Sequence, residues 1–252
     1  MLSTFRRHCP CEVHPGSCRK GEEDGASDDP GDGLGDGAGA AADLGDVQVV
    51  DAVRNAGMVT MVTPFDEVSV DKCVEFGVDI LKIASSDIRD RTLLEKIAST
   101  GLPVIASSGG ADLAHIDTLV SFFTGKGIPF ALNHCVSLYP SEDGDLELNQ
   151  IDHLRARYPN ITIGFSTHEH RDWHDSILIA YAKGARTFER HIDIDHEGVP
   201  VSSYCTKPEQ ADIWFRAFKK AREMCGGEGS ERRSVPETER RYLDALVAEA
   251  QR

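Results

Sequence analysis

The chain has 252 residues, 40% hydrophobic and 27% charged, enough to bury one sizeable core in a single principal domain. Its formal net charge of -15 and pI near 5.0 argue against nucleic acid or an anionic membrane as partner, because either would need clustered Lys and Arg. No run approaches the roughly 20 apolar residues of a membrane span and no apolar signal core opens the chain, so a cytoplasmic location is expected.

Residues 1–46 differ from all that follows, because Gly21 to Gly39 is a run of Gly, Asp and Ala without apolar periodicity; a disordered tail is expected there. His8, Cys9, Cys11, His14 and Cys18 are metal-ligand types, but their spacing matches no zinc pattern with paired short arms. Cysteines total seven, an odd number, and Cys73, Cys135, Cys205 and Cys225 fall inside regular segments, which suits reduced thiols.

From Val47 a short helical pattern runs to Ala56, and six brief apolar runs follow: Met58 to Val62, Ile80 to Ala84, Pro103 to Ala106, Phe130 to Cys135, Ile161 to Phe165 and Thr187 to His191. Helical patterns come between and after them, at Val70 to Phe76, Leu93 to Ser99, Leu113 to Phe123, Leu148 to Tyr158, Ser176 to Lys183 and Pro208 to Met224. Strict alternation predicts an α/β fold with a parallel sheet, its strands buried on both faces. Gly77, Gly101, Gly125 and Gly184 stand where left-handed helix caps are wanted. Residues 226–252 read as a linker and one further helix, Pro236 to Ala250.

Polar residues recur at or just beyond the C-terminal end of every strand: Thr63, Ser85, Asp87, Ser107, Ser137, Tyr139, Ser166, His168 and His191. A closed barrel gathers all such ends around one mouth, whereas an open doubly wound sheet concentrates ligands at one switch point. The pattern therefore predicts a TIM-type (β/α) barrel over residues 47–225, lacking its first two strand–helix units.

Four features point to chemistry at that mouth. His168 and His191 end neighbouring strands, so their imidazoles can meet as ligands of a divalent metal or serve as structural hydrogen-bond partners, with Glu189 close by. His170, His174 and His196 are surrounded by polar residues and read as solvated. Lys82 interrupts the second apolar run; a buried ammonium needs either a structural acidic partner or an anionic ligand, whose oxygens Ser85, Ser107, Ser108, Ser137 and Ser166 could share. The amides of Ser107-Ser108-Gly109-Gly110 can also cradle an anion, although a tight turn explains the glycines equally well. Asp87 and Tyr139 are candidates for holding the hydroxyls of a second substrate.

Six ordered motifs resemble the N-acetylneuraminate (sialic acid) synthase family. They are Thr63-Pro64-Phe65-Asp66, Leu81-Lys82-Ile83-Ala84-Ser85-Ser86-Asp87, Pro103-Val104-Ile105-Ala106-Ser107-Ser108-Gly109, His134-Cys135-Val136-Ser137-Leu138-Tyr139-Pro140, Gly164-Phe165-Ser166-Thr167-His168 and Phe188-Glu189-Arg190-His191. The resemblance implies condensation of phosphoenolpyruvate with N-acetylmannosamine or a related N-acetylated amino sugar, dependent on Mn2+ or Mg2+, by a homodimer. It places His168 and His191 at metal-ligand positions. Lys82, Ser85, Ser107, Ser137, Ser166 and Thr63 match positions that hold phosphoenolpyruvate, Asp87 and Tyr139 positions that contact sugar, and Glu189 an acidic position at the reacting centre. Lys82, His168 and Glu189 thus form the expected catalytic set.

The departures from the family bear on substrate. Thr167 stands where Asp is usual, Arg190 where Lys is usual, and Gly198-Val199-Pro200-Val201 replaces Gly-Pro-Asp. The family's first two strands and its C-terminal antifreeze-like domain have no match, so an inactive fragment that only binds ligand is the alternative expectation. A different phosphoenolpyruvate-dependent synthase of 3-deoxy sugar acids is a third, because those enzymes use a cysteine metal ligand and Cys135 ends a strand.

Overall fold

The computed structural model describes residues 43–195, 200–226 and 233–251. The expectations for residues 1–42, for His196 and for Gly198 and Val199 lie outside the described residues. The chain runs α1 (Asp43–Asn55), β1 (Met61–Val62), α2 (Glu67–Glu75), β2 (Ile80–Ile83), α3 (Arg91–Ser99), β3 (Val104–Ser107), α4 (Leu113–Gly125), β4 (Phe130–Cys135), α5 (Asn149–Arg157), β5 (Thr162–Thr167), α6 (Asp175–Ala182), β6 (Phe188–Arg190), α7 (Pro208–Cys225) and α8 (Glu237–Ala250). All six strands are parallel, in the order β1-β2-β3-β4-β5-β6. Each strand pairs with its sequence neighbour, as the expected (β/α) barrel requires.

Curvature is visible in one cross-sheet contact. Lys82 on β2 and Glu189 on β6 approach to 3.5 Å. Four strand spacings in a flat sheet would hold those backbones about 19 Å apart, beyond the reach of both side chains. The sheet therefore curls, and its concave face is the barrel interior.

Period-two alternation separates the two faces. Leu81, Ile83, Val104, Ala106, Leu132, Ile163, Phe165 and Phe188 face the helices and form the core with residues such as Ile97, Phe123, Ile151, Ile177 and Trp214. Each such Val, Leu, Ile or Phe side chain contributes about 1.5–3 kcal/mol by leaving water. The concave face instead carries Lys82, Ser107, Asn133, Cys135, Ser166 and Glu189, linked by register across β2 to β6. The strands are buried on both faces as expected, yet the inner one is polar.

Three boundaries differ from expectation. The first helix begins at Asp43, and the first strand shrinks to Met61–Val62 because the Met58 amide still donates to Val53 at the end of α1. Gly125 is not a left-handed cap: α4 includes it, Lys126 stays right-handed, and Gly127 takes φ +70°. Helices α2, α3 and α4 are each opened by an aspartate, Asp66, Asp90 and Asp112, whose carboxylate accepts from an amide three residues on.

Candidate active site

The inner face builds the site strand by strand. Lys82 is buried, and its ammonium donates to the Ile83 carbonyl and the Ser107 hydroxyl, both at 2.8 Å, besides facing Glu189. The lysine thus has an acidic partner, as one of its two readings requires, and it lies on the concave face. Asn133 donates to Glu189 Oε2 at 3.2 Å and accepts from Thr187 at 2.7 Å, so the carboxylate is held from two sides. Sequence reasoning passed over Asn133 because an amide inside an apolar strand carries no motif.

A hydroxyl-lined hollow adjoins the lysine. Ser85 opens the turn after β2 and accepts from the Gly109 amide at 3.0 Å. A Cβ on Gly109 would collide with the Ser137 hydroxyl and come within 2.8 Å of that of Ser85, so the absent side chain lets three loops converge. Cys135 lies among Ser85, Ser166, Lys82 and Glu189; burial pushes its thiol pKa up, against the pull of the Ser85 hydrogen bond and the Lys82 charge. Thr63, after β1, keeps a buried hydroxyl without a hydrogen-bond partner in the structure. Asp87 ends the turn after β2 and is half-buried.

The histidines sit just past the ends of β5 and β6. His168 and His191 have ring centroids 5.2 Å apart. The Nδ1 of His168 donates to the Val136 carbonyl at 3.0 Å. A carbonyl can only accept, so Nδ1 carries the proton and Nε2 keeps its lone pair. Burial, then the neighbouring His191, push the His168 pKa down to about 3, so the ring is neutral at physiological pH. The exposed ring of Tyr139 lies against His168 with centroids 4.0 Å apart and planes tilted by 40°, and Tyr204 stands edge-on to Tyr139 and His191, 5.3 Å from each. Tyr204 lies in a segment with no periodicity, and no sequence signal marks it.

His168 and His191 can donate to a metal. No group of three or more His, Cys, Asp or Glu suited to a metal occurs among the described residues. A pair of imidazoles leaves remaining coordination positions to water or substrate oxygen, which suits a catalytic rather than a structural ion. His174 bonds Asp175 at 2.9 Å in the exposed region before α6. His170 is half-buried rather than fully solvated: its Nδ1 is shut from solvent, while its Nε2 lies 3.5 Å from Arg171 Nε.

A curled parallel sheet with a lysine, clustered hydroxyls, a carboxylate and paired histidines at its strand ends defines a protein of the (β/α)-barrel class whose polar residues gather at the mouth. Residues 45–228 match the model of the NeuB family, and the chain belongs to that family. It is 36% identical over 134 residues to N-acetylneuraminate-9-phosphate synthase of Drosophila melanogaster, covering 52% of this chain and 35% of that protein. It is 31% identical over 186 residues to N,N'-diacetyllegionaminic acid synthase of Legionella pneumophila, covering 70% of this chain and 50% of that one. The crystal structure of N-acetylneuraminic acid (sialic acid) synthetase from Leptospira borgpetersenii, in complex with citrate, superposes with a TM-score of 0.72 at 32% identity, covering 81% of this chain and 71% of the other. The chain thus spans half or less of the length of these two curated relatives. No helix among the described residues is long and apolar enough to cross a membrane.

Proposed function

We propose that the chain condenses phosphoenolpyruvate with N-acetylmannosamine or a related N-acetylated amino sugar, giving a sialic-acid-type nonulosonic acid and phosphate. The observation that carries this reading is the joining of Lys82, Ser107 and Glu189 in one contact network beside the Ser85–Gly109–Ser137 hollow. In this reading Lys82 and the hydroxyls of Ser85, Ser107, Ser137 and Ser166 hold the phosphate and carboxylate of phosphoenolpyruvate. Thr63 also holds phosphoenolpyruvate, while Asp87 and Tyr139 contact the sugar.

Holding the enol ester fixed aims its C3 at the sugar aldehyde, so that a carbon–carbon bond forms between them. Water adds at C2, and the C2–oxygen bond breaks as phosphate leaves. Glu189, fixed by Asn133 and Lys82, moves the proton that this addition requires. His168 and His191 hold Mn2+ or Mg2+, which when bound polarises the aldehyde carbonyl. The neutral, Nδ1-tethered ring of His168 supports that assignment.

Calorimetry with phosphoenolpyruvate and with Mn2+ tests the reading. Both ligands should bind, and His168→Ala and His191→Ala should lose Mn2+ affinity; unchanged affinity in both would remove these residues as ligands. Ligand binding without turnover is the second reading, favoured by the two edges, β1 and β6, that the six-stranded sheet leaves unpaired among the described residues. A 3-deoxy sugar acid synthase with a cysteine ligand draws less support, because Cys135 lies among Ser85, Ser166 and Lys82 and forms no metal-ligand group with the histidines.

A further inference from the structure

Behind the two histidines lies a buried polar network on the helix side of the sheet. Arg190 Nη1 stands 2.9 Å from Glu169 Oε1, an ion contact rather than an aligned hydrogen bond, with both side chains 2% exposed. Arg190 also donates through Nη2 to the Glu169 carbonyl and through Nε to the Thr206 hydroxyl. The remaining capacity of Glu169 is taken by Thr167 and by Ser176 at the start of α6.

Buried ion pairs are poor devices for stability, since desolvating both charges offsets most of their attraction and an apolar pair of like volume does as well. A fork-shaped guanidinium is instead well suited to fixing geometry, because its donors point in set directions. The chain order is the telling feature. Glu169 follows His168 directly and Arg190 precedes His191 directly, so the pair clamps the two strand ends that carry the imidazoles. Period-two alternation then turns one histidine of each dipeptide to the mouth and its neighbour to the clamp.

The same guanidinium ties down a third segment. Thr206 donates its amide to the His191 carbonyl at 2.9 Å and accepts from the Asp193 amide at 3.0 Å. Tyr204, two residues earlier, is thereby held edge-on to His191 and Tyr139. We propose that the Arg190–Glu169 pair, with Thr206, is a positioning device that sets the relative orientation of His168 and His191 and docks Tyr204 over them. It also explains two departures from the family pattern together, since Thr167 and Arg190 both serve Glu169.

The metal half of this inference rests on the reading of His168 and His191 as metal holders, so the test has two readouts. Amide hydrogen exchange at Asp193 and Thr206 reports docking without metal, and calorimetry with Mn2+ alone reports the histidine pair. The variants are Arg190→Lys, which keeps charge and loses the fork; Thr206→Val, which removes one acceptor; and Glu169→Gln with Arg190→Met together, which removes both charges and should keep the melting temperature. Expected are faster exchange at both amides and a Mn2+ affinity lower by about ten- to hundredfold, with the smallest loss in Thr206→Val. Unchanged exchange and affinity in Arg190→Lys and in the double variant would overturn the proposal. If the unmodified chain binds no Mn2+, the metal reading fails, and the exchange comparison alone decides the positioning role.

Discussion

Lys82 Nζ lies 3.5 Å from Glu189 Oε2, and Asn133 donates to that same oxygen at 3.2 Å. One carboxylate oxygen thus joins β2, β4 and β6, and its partners include the cation assigned to the anionic substrate. Lys82→Met is expected to lower phosphoenolpyruvate affinity about ten- to hundredfold, the loss of a hydrogen-bonded charge. It should also lower the melting temperature, because Glu189 then keeps a largely buried charge without its cation. Lys82→Met with Glu189→Gln should recover the melting temperature and not the affinity. Calorimetry and thermal melts separate the two, and an unchanged affinity in Lys82→Met would remove the lysine from the substrate site.

Gly109 tests the hydroxyl hollow. Gly109→Ala places a methyl against the Ser137 and Ser85 hydroxyls. Overpacking of this kind costs about 1–3 kcal/mol, here as displacement of the loops that line the hollow. Phosphoenolpyruvate affinity and the melting temperature should both fall, and Ser137→Ala added to Gly109→Ala should restore part of the melting temperature by removing the nearest colliding atom, but not the affinity, because the Ser137 hydroxyl is itself assigned to the anion. An unchanged phosphoenolpyruvate affinity in Gly109→Ala would show that these loops do not converge on a common ligand.

His134 faces the helix side of β4, where its Nε2 donates to the Leu146 carbonyl at 2.8 Å. Burial holds its pKa below the usual 6.5, against the raising effects of that hydrogen bond and of Glu147. The unfolded chain takes up a proton as pH falls below 6.5, while the folded chain resists until the lowered pKa. The stability associated with a neutral His134 is therefore fully present above pH 6.5 and is lost as pH falls through the depressed pKa. Melting temperatures from pH 7.5 to 5 should fall less steeply in His134→Gln than in the unmodified chain. Parallel slopes would contradict this origin.

The six strands were legible because short apolar runs bounded by helix caps are a strong local signal, and the mouth was legible because polar residues cluster where those runs stop. What escaped depends on contacts far apart in sequence. Asn133 acquires its role only when the sheet curls enough to bring β6 against β4 through Glu189. Glu169 adjoins His170, which reads as solvated because polar residues surround it; Ser176 and Arg190 bury Glu169. Gly125 and Gly127 show the limit at helix ends, where two glycines two residues apart leave the cap position ambiguous until the backbone is seen.

Turnover by the whole chain tests the central claim most directly. The chain should be incubated with phosphoenolpyruvate, Mn2+ and each of several N-acetylated amino sugars, with N-acetylmannosamine first, and inorganic phosphate and the nine-carbon acid measured together. The account predicts equimolar phosphate and nonulosonic acid with at least one sugar, abolished in Lys82→Met and in the His168→Ala, His191→Ala double variant. Absence of both products with every sugar, from a folded chain that binds phosphoenolpyruvate and Mn2+, would contradict it.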